Sequence, residues 1–216
     1  VGNEPDALRK FEDWIDREVD FIAGHAGSAG WSNVRSTLGW LDDRFDSFDV
    51  PIYWTVPMLV SGGTLAAGAK GTYNAEYRKM AQTLAALGAD QDEIHVRVGQ
   101  EFNGDWFAWA AKGKEAQFIS TYRQFVDAFR SVSDKFVFEW NFNAGDMGMN
   151  PALAYPGDAY VDVIGMDFFY NTTWYPKDPA EAFDFMVSRT YGLQWLEDFA
   201  AAHGKRFVHG RLERYL

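Results

Sequence analysis

Two spacings of apolar residues alternate along the chain. Short runs that are continuous or of period two, at 19–23, 50–60, 94–98, 135–141, 160–167 and 206–209, predict buried strands. Between them lie stripes of helical period. Leu8, Phe11, Trp14, Ile15 and Glu18 follow Pro5, a residue suited to a first helical turn. A weaker helix is expected over 34–43. Tyr73, Tyr77, Met80, Leu84 and Leu87 form a clear stripe that Gly88 should close, and Phe118, Tyr122, Phe125, Phe129 and Val132 form another. A helical region over 179–203 should break near Gly192. Pro51 and Pro57 cannot both lie inside a central strand, so they should mark its start and its end. Val1 and Gly2 read as the tail of an earlier strand.

Strands alternating with helices predict an α/β fold with a parallel sheet. The count is about seven strands, against the eight of a closed barrel, so the expectation is an incomplete (β/α)8 TIM-type barrel formed by residues 1–216 as a single domain. A doubly wound open sheet is the alternative. Against it, no Gly-x-Gly-x-x-Gly or Walker loop follows the first strand, and polar strand exits recur along the whole chain rather than at one switch point.

The richest of these exits is at 94–109. Ile94, Val96 and Val98 share one face of the strand, which directs His95, Arg97, Gly99 and Glu101 to the other. A strand end bearing the Glu101 carboxylate, followed by Asn103, Asp105, Trp106 and Trp109, combines a proton donor, amide hydrogen-bonding groups and flat apolar rings. Sugar chemistry needs all three. For Arg97 a buried ion pair is an equally good reading. Similar amide, acid and aromatic groups recur at later exits, in Asn141 to Asp146 and in Tyr170, Asn171 and Trp174. His25 and Trp31 are expected in a loop after the second strand.

Composition narrows the partners. Lys plus Arg number 20 against 31 for Asp plus Glu, a net charge of −11, which disfavours nucleic acid or an anionic membrane and fits an uncharged ligand. Nine Trp exceed the usual needs of a core this size. Without cysteine there is no disulfide and no thiol nucleophile. No apolar run reaches the roughly eighteen residues of a membrane span, and no His and acid cluster has metal-ligand spacing, so neither metal nor cofactor is expected. Val at position 1 suggests a processed or excised chain, from which a signal peptide could have been removed unseen, and the expectation is a secreted protein.

Residues 98–107, Val-Gly-Gln-Glu-Phe-Asn-Gly-Asp-Trp-Phe, resemble the fourth-strand motif of glycoside hydrolase family 26, mostly β-mannanases of the retaining (β/α)8-barrel clan. Val56-Pro57-Met58, Trp140-Asn141, Tyr155-Pro156-Gly157-Asp158 with residues 160–167, and His203-Gly204-Lys205 fit the same pattern. The resemblance implies that Glu101 is the general acid/base, with Gln100 where the family often has His. It implies that Asn103, Trp106 and Trp109 line the sugar sites, with Arg97, Trp140, Asn141, Asp167, Tyr170 and Trp174 as further substrate-binding candidates. A retaining mechanism also needs a second carboxylate about 5–5.5 Å from the first. The family places it as a Glu at the end of strand seven, where this chain has residues 207–216, Phe-Val-His-Gly-Arg-Leu-Glu-Arg-Tyr-Leu. Glu213 is the available candidate, although Arg211 stands nearer the expected position.

The implied function is retaining hydrolysis of β-linked polysaccharide, β-1,4-mannan first, with mixed-linked glucan or xylan as alternatives. A carbohydrate-binding barrel without turnover is the rival reading. Open barrel edges would favour self-association.

Overall fold

The computed structural model describes residues 3–171 and 173–214, with the backbone alone over 209–214. Six strands form one sheet: β1 (Ile22–His25), β2 (Ile52–Val56), β3 (Ile94–Val98), β4 (Phe136–Asn143), β5 (Val163–Tyr170) and β6 (Arg206–Arg214). They pair in sequence order, and every pair is parallel. Parallel neighbours need crossovers, and crossovers of one hand laid down without a reversal of strand order curl a sheet along a barrel wall. A doubly wound sheet reverses its order at a switch point. The architecture is therefore an incomplete (β/α)8 barrel. The further strand expected at Val1 and Gly2 lies outside the described residues.

α1 (Pro5–Ile15) precedes β1, and helices fill four of the five crossovers: α2 (Trp31–Phe45), the short α3 (Leu65–Gly68) with α4 (Asn74–Leu87), α5 (Glu115–Arg130), and α6 (Pro179–Ser188) with α7 (Leu193–Ala202); the β4-to-β5 crossover has only the 3-10 turn Pro151–Ala154. They cover one face of the sheet. Trp54, Val96, Phe138 and Ile164 lie on that face, fully or nearly buried, and α5 meets it through Phe129, whose ring is 5.0 Å from Phe136 and 6.0 Å from Phe138. Phe199 of α7 packs on Trp140 at 5.7 Å. The opposite, inner face carries Thr55, Arg97 and Glu139 in one register row, then Asn141 beside Gly165 and Asn143 beside Asp167. Polar groups thus line the lumen while apolar groups bind the helices.

Several local expectations change. The first run shifts two residues, so His25 ends β1 instead of sitting in a loop. Trp31 opens α2 and packs on Tyr73 and Tyr77 at 5.4 and 5.7 Å. The helix expected to be weak spans 15 residues, because Val34, Leu38, Leu41 and Phe45 at helical spacing are all buried. Gly88 does close α4, by N–H donation to the Leu84 carbonyl at 2.9 Å, but with φ −98 rather than in a left-handed cap. Gly192 separates α6 from α7 as its position predicts. Pro51 and Pro57 flank β2.

Gly165 has a demanding position, since a Cβ there would collide with the Glu139 carboxylate on the neighbouring strand. Gly165→Ala is expected to lower unfolding free energy by about 1–3 kcal/mol, the usual cost of overpacking. Urea unfolding checks this, and an unchanged midpoint would mean that Glu139 moves aside freely.

Candidate active site

The turn after β3 is built from two left-handed residues. Gly99 has φ 62 and Glu101 φ 52, the latter uncommon for a residue with a side chain. The strand has ended by then, so it is this turn, not continued alternation, that sets the direction of Glu101. Its N–H donates to the Asn141 carbonyl at 3.0 Å, fastening the turn to β4. Asn103 adds a second clasp. Its amide oxygen accepts from the Asn143 N–H and its amide nitrogen donates to the Asn143 carbonyl, both at 2.8 Å. Trp106 then folds back over Gly104, where any Cβ would collide with the indole, and donates Nε1–H to the Glu101 carboxylate at 2.7 Å.

Beneath Glu101 lies a group of carboxyls around one guanidinium. Arg97 forms a buried ion pair with Asp167. Asn141 donates from one amide nitrogen to Glu139 at 3.0 Å and to Asp167 at 3.3 Å. Burial pushes the Glu101 carboxyl up to about 7, helped by its hydrogen bond with Asp167 and the negative charge there, while Trp106 and Arg97 pull the other way. Glu139 is also raised to about 7, by burial and secondarily by Asp167, against the opposing pull of Arg97 and Asn141. A carboxylic acid that keeps its proton near neutrality and opens onto a cavity is equipped for general acid chemistry.

That cavity, about 580 Å³, has Glu101 and Trp106 on one side. Asn143, Asn171, Trp174, Tyr175 and Arg189 contribute to the rest of its wall. Trp106 is 50% exposed and Trp174 77% exposed, so both offer ring faces at its mouth. Among the described residues no group of three or more His, Asp or Glu is arranged to hold a metal ion.

The candidates named from the sequence separate into groups. Glu101, Trp106 and Trp174 line the cavity. Arg97, Asn141 and Asp167 lie just below, buried and bonded to one another or to Glu139. Asn103 clasps the turn. Tyr170 is half-buried, its hydroxyl donating to the Pro176 carbonyl at 2.9 Å. Trp109 and Trp140 belong to the core instead of the sugar-facing wall. Trp109 stacks on Phe107 at 4.6 Å and donates to the Gln100 carbonyl, whereas Trp140 is fully buried on the helix-bearing face, donating to Ala154. Glu213 lies on β6 opposite Phe169, and its side chain is outside the described residues. Asn143, Tyr175 and Arg189 were not anticipated as lining residues. Asn143 could have been found as the last inward position of a strand beginning at Phe136, but Arg189 follows a helix with nothing in its spacing to mark it.

Known proteins match this geometry. The family model described as glycosyl hydrolase family 26 matches residues 45–206. Endoglucanase H of Acetivibrio thermocellus is 33% identical over 203 residues, 88% of this chain and 22% of that protein. A mannan endo-1,4-beta-mannosidase of Bifidobacterium adolescentis is 33% identical over 117 residues, 50% of this chain and 11% of the relative. The chain thus spans about a fifth or less of the length of these relatives. Among solved structures, the catalytic domain of the Bacillus sp. JAMB-750 endo-beta-1,4-mannanase superposes with a TM-score of 0.68 at 17% identity, covering 100% of this chain and 66% of that one.

Two outcomes are expected. Asn103→Ala removes both bonds to the Asn143 backbone and leaves buried groups unpaired, so it should cost about 1–3 kcal/mol in chemical unfolding. Glu101 and Glu139 bind protons more tightly folded than unfolded, so their contribution to stability is full below about pH 4.5 and is lost as pH rises through about 7. Melting temperature should fall across that window, and less steeply in Glu139→Gln. Parallel slopes for the two proteins would show that Glu139 does not titrate there.

Proposed function

Because this chain belongs to glycosyl hydrolase family 26, we propose that it hydrolyses β-linked polysaccharide, β-1,4-mannan before other glycans, through Glu101. The carrying observation is the Glu101 carboxyl itself, which opens onto the cavity, holds its proton up to about pH 7 and is oriented by the Trp106 indole. In the first half-reaction Glu101 gives its proton to the leaving glycosidic oxygen. In the second, the resulting carboxylate takes a proton from water, which attacks the glycosyl intermediate. Trp106 and Trp174 stack on sugar rings, and Asn143 and Asn171 meet hydroxyls. Asp167 and Arg97 position the acid from below. The names of the two relatives support the breadth of this reading, one a mannan endo-1,4-beta-mannosidase and the other an endoglucanase.

The nucleophile is assigned to Glu213. Asp167 acts on Glu101 electrostatically, but it is 1% exposed and bound to Arg97 and Asn141, which leaves its oxygens no approach to an anomeric carbon. Glu213 lies towards the end of β6, the strand exit from which a second carboxylate could face Glu101 across the lumen. A binding barrel without turnover is the second reading, favoured by Arg211 and Glu213 standing where a nucleophile motif would be compact.

Reducing-sugar release from mannan, mixed-linked glucan and xylan tests the proposal. Mannan cleavage should exceed the others and fall about 10²–10⁴-fold in Glu101→Gln. It should also decline above about pH 7, as Glu101 loses the proton it donates. Glycan binding retained by a folded protein that cleaves none of the three would sink the hydrolase reading in favour of the binding one.

A further inference from the structure

The cavity is chemically lopsided. Its lining holds one acid, Glu101, and one cation, Arg189. Arg189, the residue closing α6, donates from Nη1 to the Tyr175 hydroxyl and lies over the faces of Tyr175 and Phe185, at 5.4 and 5.3 Å from their centres. Its other terminal nitrogen passes over Gly145, where φ is 96 and any Cβ would collide with the guanidinium. Gly148, with φ 80, gives the same clearance to the ammonium of Lys112. Two glycines three residues apart thus accommodate two cationic heads. The stretch between them contributes Met147 to the cavity wall and follows directly on Asn143 and Ala144.

Neither cation has a carboxylate within ion-pair distance among the described residues, and of the two it is Arg189 whose side chain lines the cavity that Glu101 also lines. The ring faces of Tyr175 and Phe185 keep the planar guanidinium directed, and Nη2, with two N–H groups to donate, makes no hydrogen bond among the described residues. A neutral sugar filling this end would strip water from the guanidinium without supplying counter-charge, which is costly. A carboxylate offers two parallel acceptors to the fork and restores the charge balance.

We propose that the Gly145–Gly148 end of the cavity is a carboxylate subsite, in which Arg189, with Lys112 at its rim, takes the uronic acid unit of a β-linked glycan. This rests on the β-glycan reading and adds the acidic substituent to it. The substrate is thereby oriented along the cavity, its uronate on Arg189 and its neutral rings against Trp106 near Glu101.

The test is calorimetric titration, which does not depend on turnover. The probes are a xylotriose carrying 4-O-methylglucuronic acid and the same oligosaccharide with its carboxyl reduced to the alcohol. The unmodified protein should bind the acidic probe at least about tenfold more tightly, with a preference that shrinks as salt is raised. Arg189→Gln should reduce that preference to within about twofold. Arg189→Lys, which keeps the charge and loses the fork, should retain part of it and guards against a fold effect of the first variant. Equal affinity of the unmodified protein for both probes, or a preference that survives Arg189→Gln, overturns the carboxylate subsite and leaves the β-glycan reading standing. Failure to bind either probe, or neutral manno- and gluco-oligosaccharides, overturns both.

Discussion

The ion pair between Arg97 and Asp167 is the interaction on which the site depends. It joins β3 to β5 across the intervening β4, and the β4 residue Asn141 fills the gap by donating to Asp167 and to Glu139. Around this one guanidinium stand three carboxyls, those of Asp167, Glu139 and Glu101. If all were ionised, two negative charges would be left over in a space with little water, a cost that burial makes prohibitive. The surplus is removed by protons. Asp167 has the direct contact with Arg97, while Glu101 and Glu139 are pushed up to about 7. The acidity of Glu101 is thus decided partly two strands away. Truncating Arg97 would leave Asp167 buried and unpaired, a change of about 3–5 kcal/mol in comparable buried pairs.

Much of this was legible in the sequence, but unevenly. Helices with a single buried stripe, such as α4 and α5, announce themselves because periodicity and burial report the same thing. The strands were legible as apolar runs, and Pro51 and Pro57 bracketed β2 because proline cannot join the ladder. The site was legible where chemistry is concentrated in one loop, as at Glu101 and Trp106. It was obscure where lining residues arrive singly from distant elements, as Tyr175 and Arg189 do. The tryptophans mark the boundary. Trp106 and Trp140 are alike in sequence terms, each near a strand exit beside a polar residue, Asp105 for one and Asn141 for the other, yet one lines the cavity and is half exposed while the other is fully buried. Trp140 occupies the outward parity of β4, in one row with Phe136 and Phe138, and that parity rather than its polar neighbours decides its role.

The left-handed conformation of Glu101 carries a related lesson. Alternation along β3 suggested that Glu101 shares a direction with Arg97, and the two do influence each other electrostatically. The route is different, however. The strand ends at Val98, and the chain turns through Gly99 and Glu101 with positive φ at both. A side chain in that region costs of order 1 kcal/mol or more, so the turn persists only because its surroundings hold it. Those surroundings are the bond from Glu101 N–H to Asn141, the double clasp of Asn103 on Asn143 and the indole of Trp109 on Gln100. All anchor the turn to β4 or to itself, before any substrate arrives, which is how a catalytic carboxyl is held in place without reorganisation.

The same framework separates the acid from any attacking carboxylate. Retaining chemistry asks the two groups to stand about 5–5.5 Å apart, with a sugar carbon between them. Asp167 is buried and bound to Arg97 and Asn141, so its oxygens have no approach to a sugar carbon. Glu139 lies deeper still, on the lumen row of Thr55 and Arg97. Of the inner-face carboxyls of β4 and β5, Asp167 raises Glu101 while Glu139 is itself raised beside it, and any further carboxylate facing them lies on an exit further along the sheet. Beyond β5 that exit belongs to β6, where the register slips between Asp167 and Phe168 before Glu213 comes opposite Phe169. A slip of one residue in a strand exchanges the faces its side chains point to. The irregularity between Asp167 and Phe168 thus sets which backbone positions of β6 come level with the end of β5, Leu212 with Phe168 and Glu213 with Phe169.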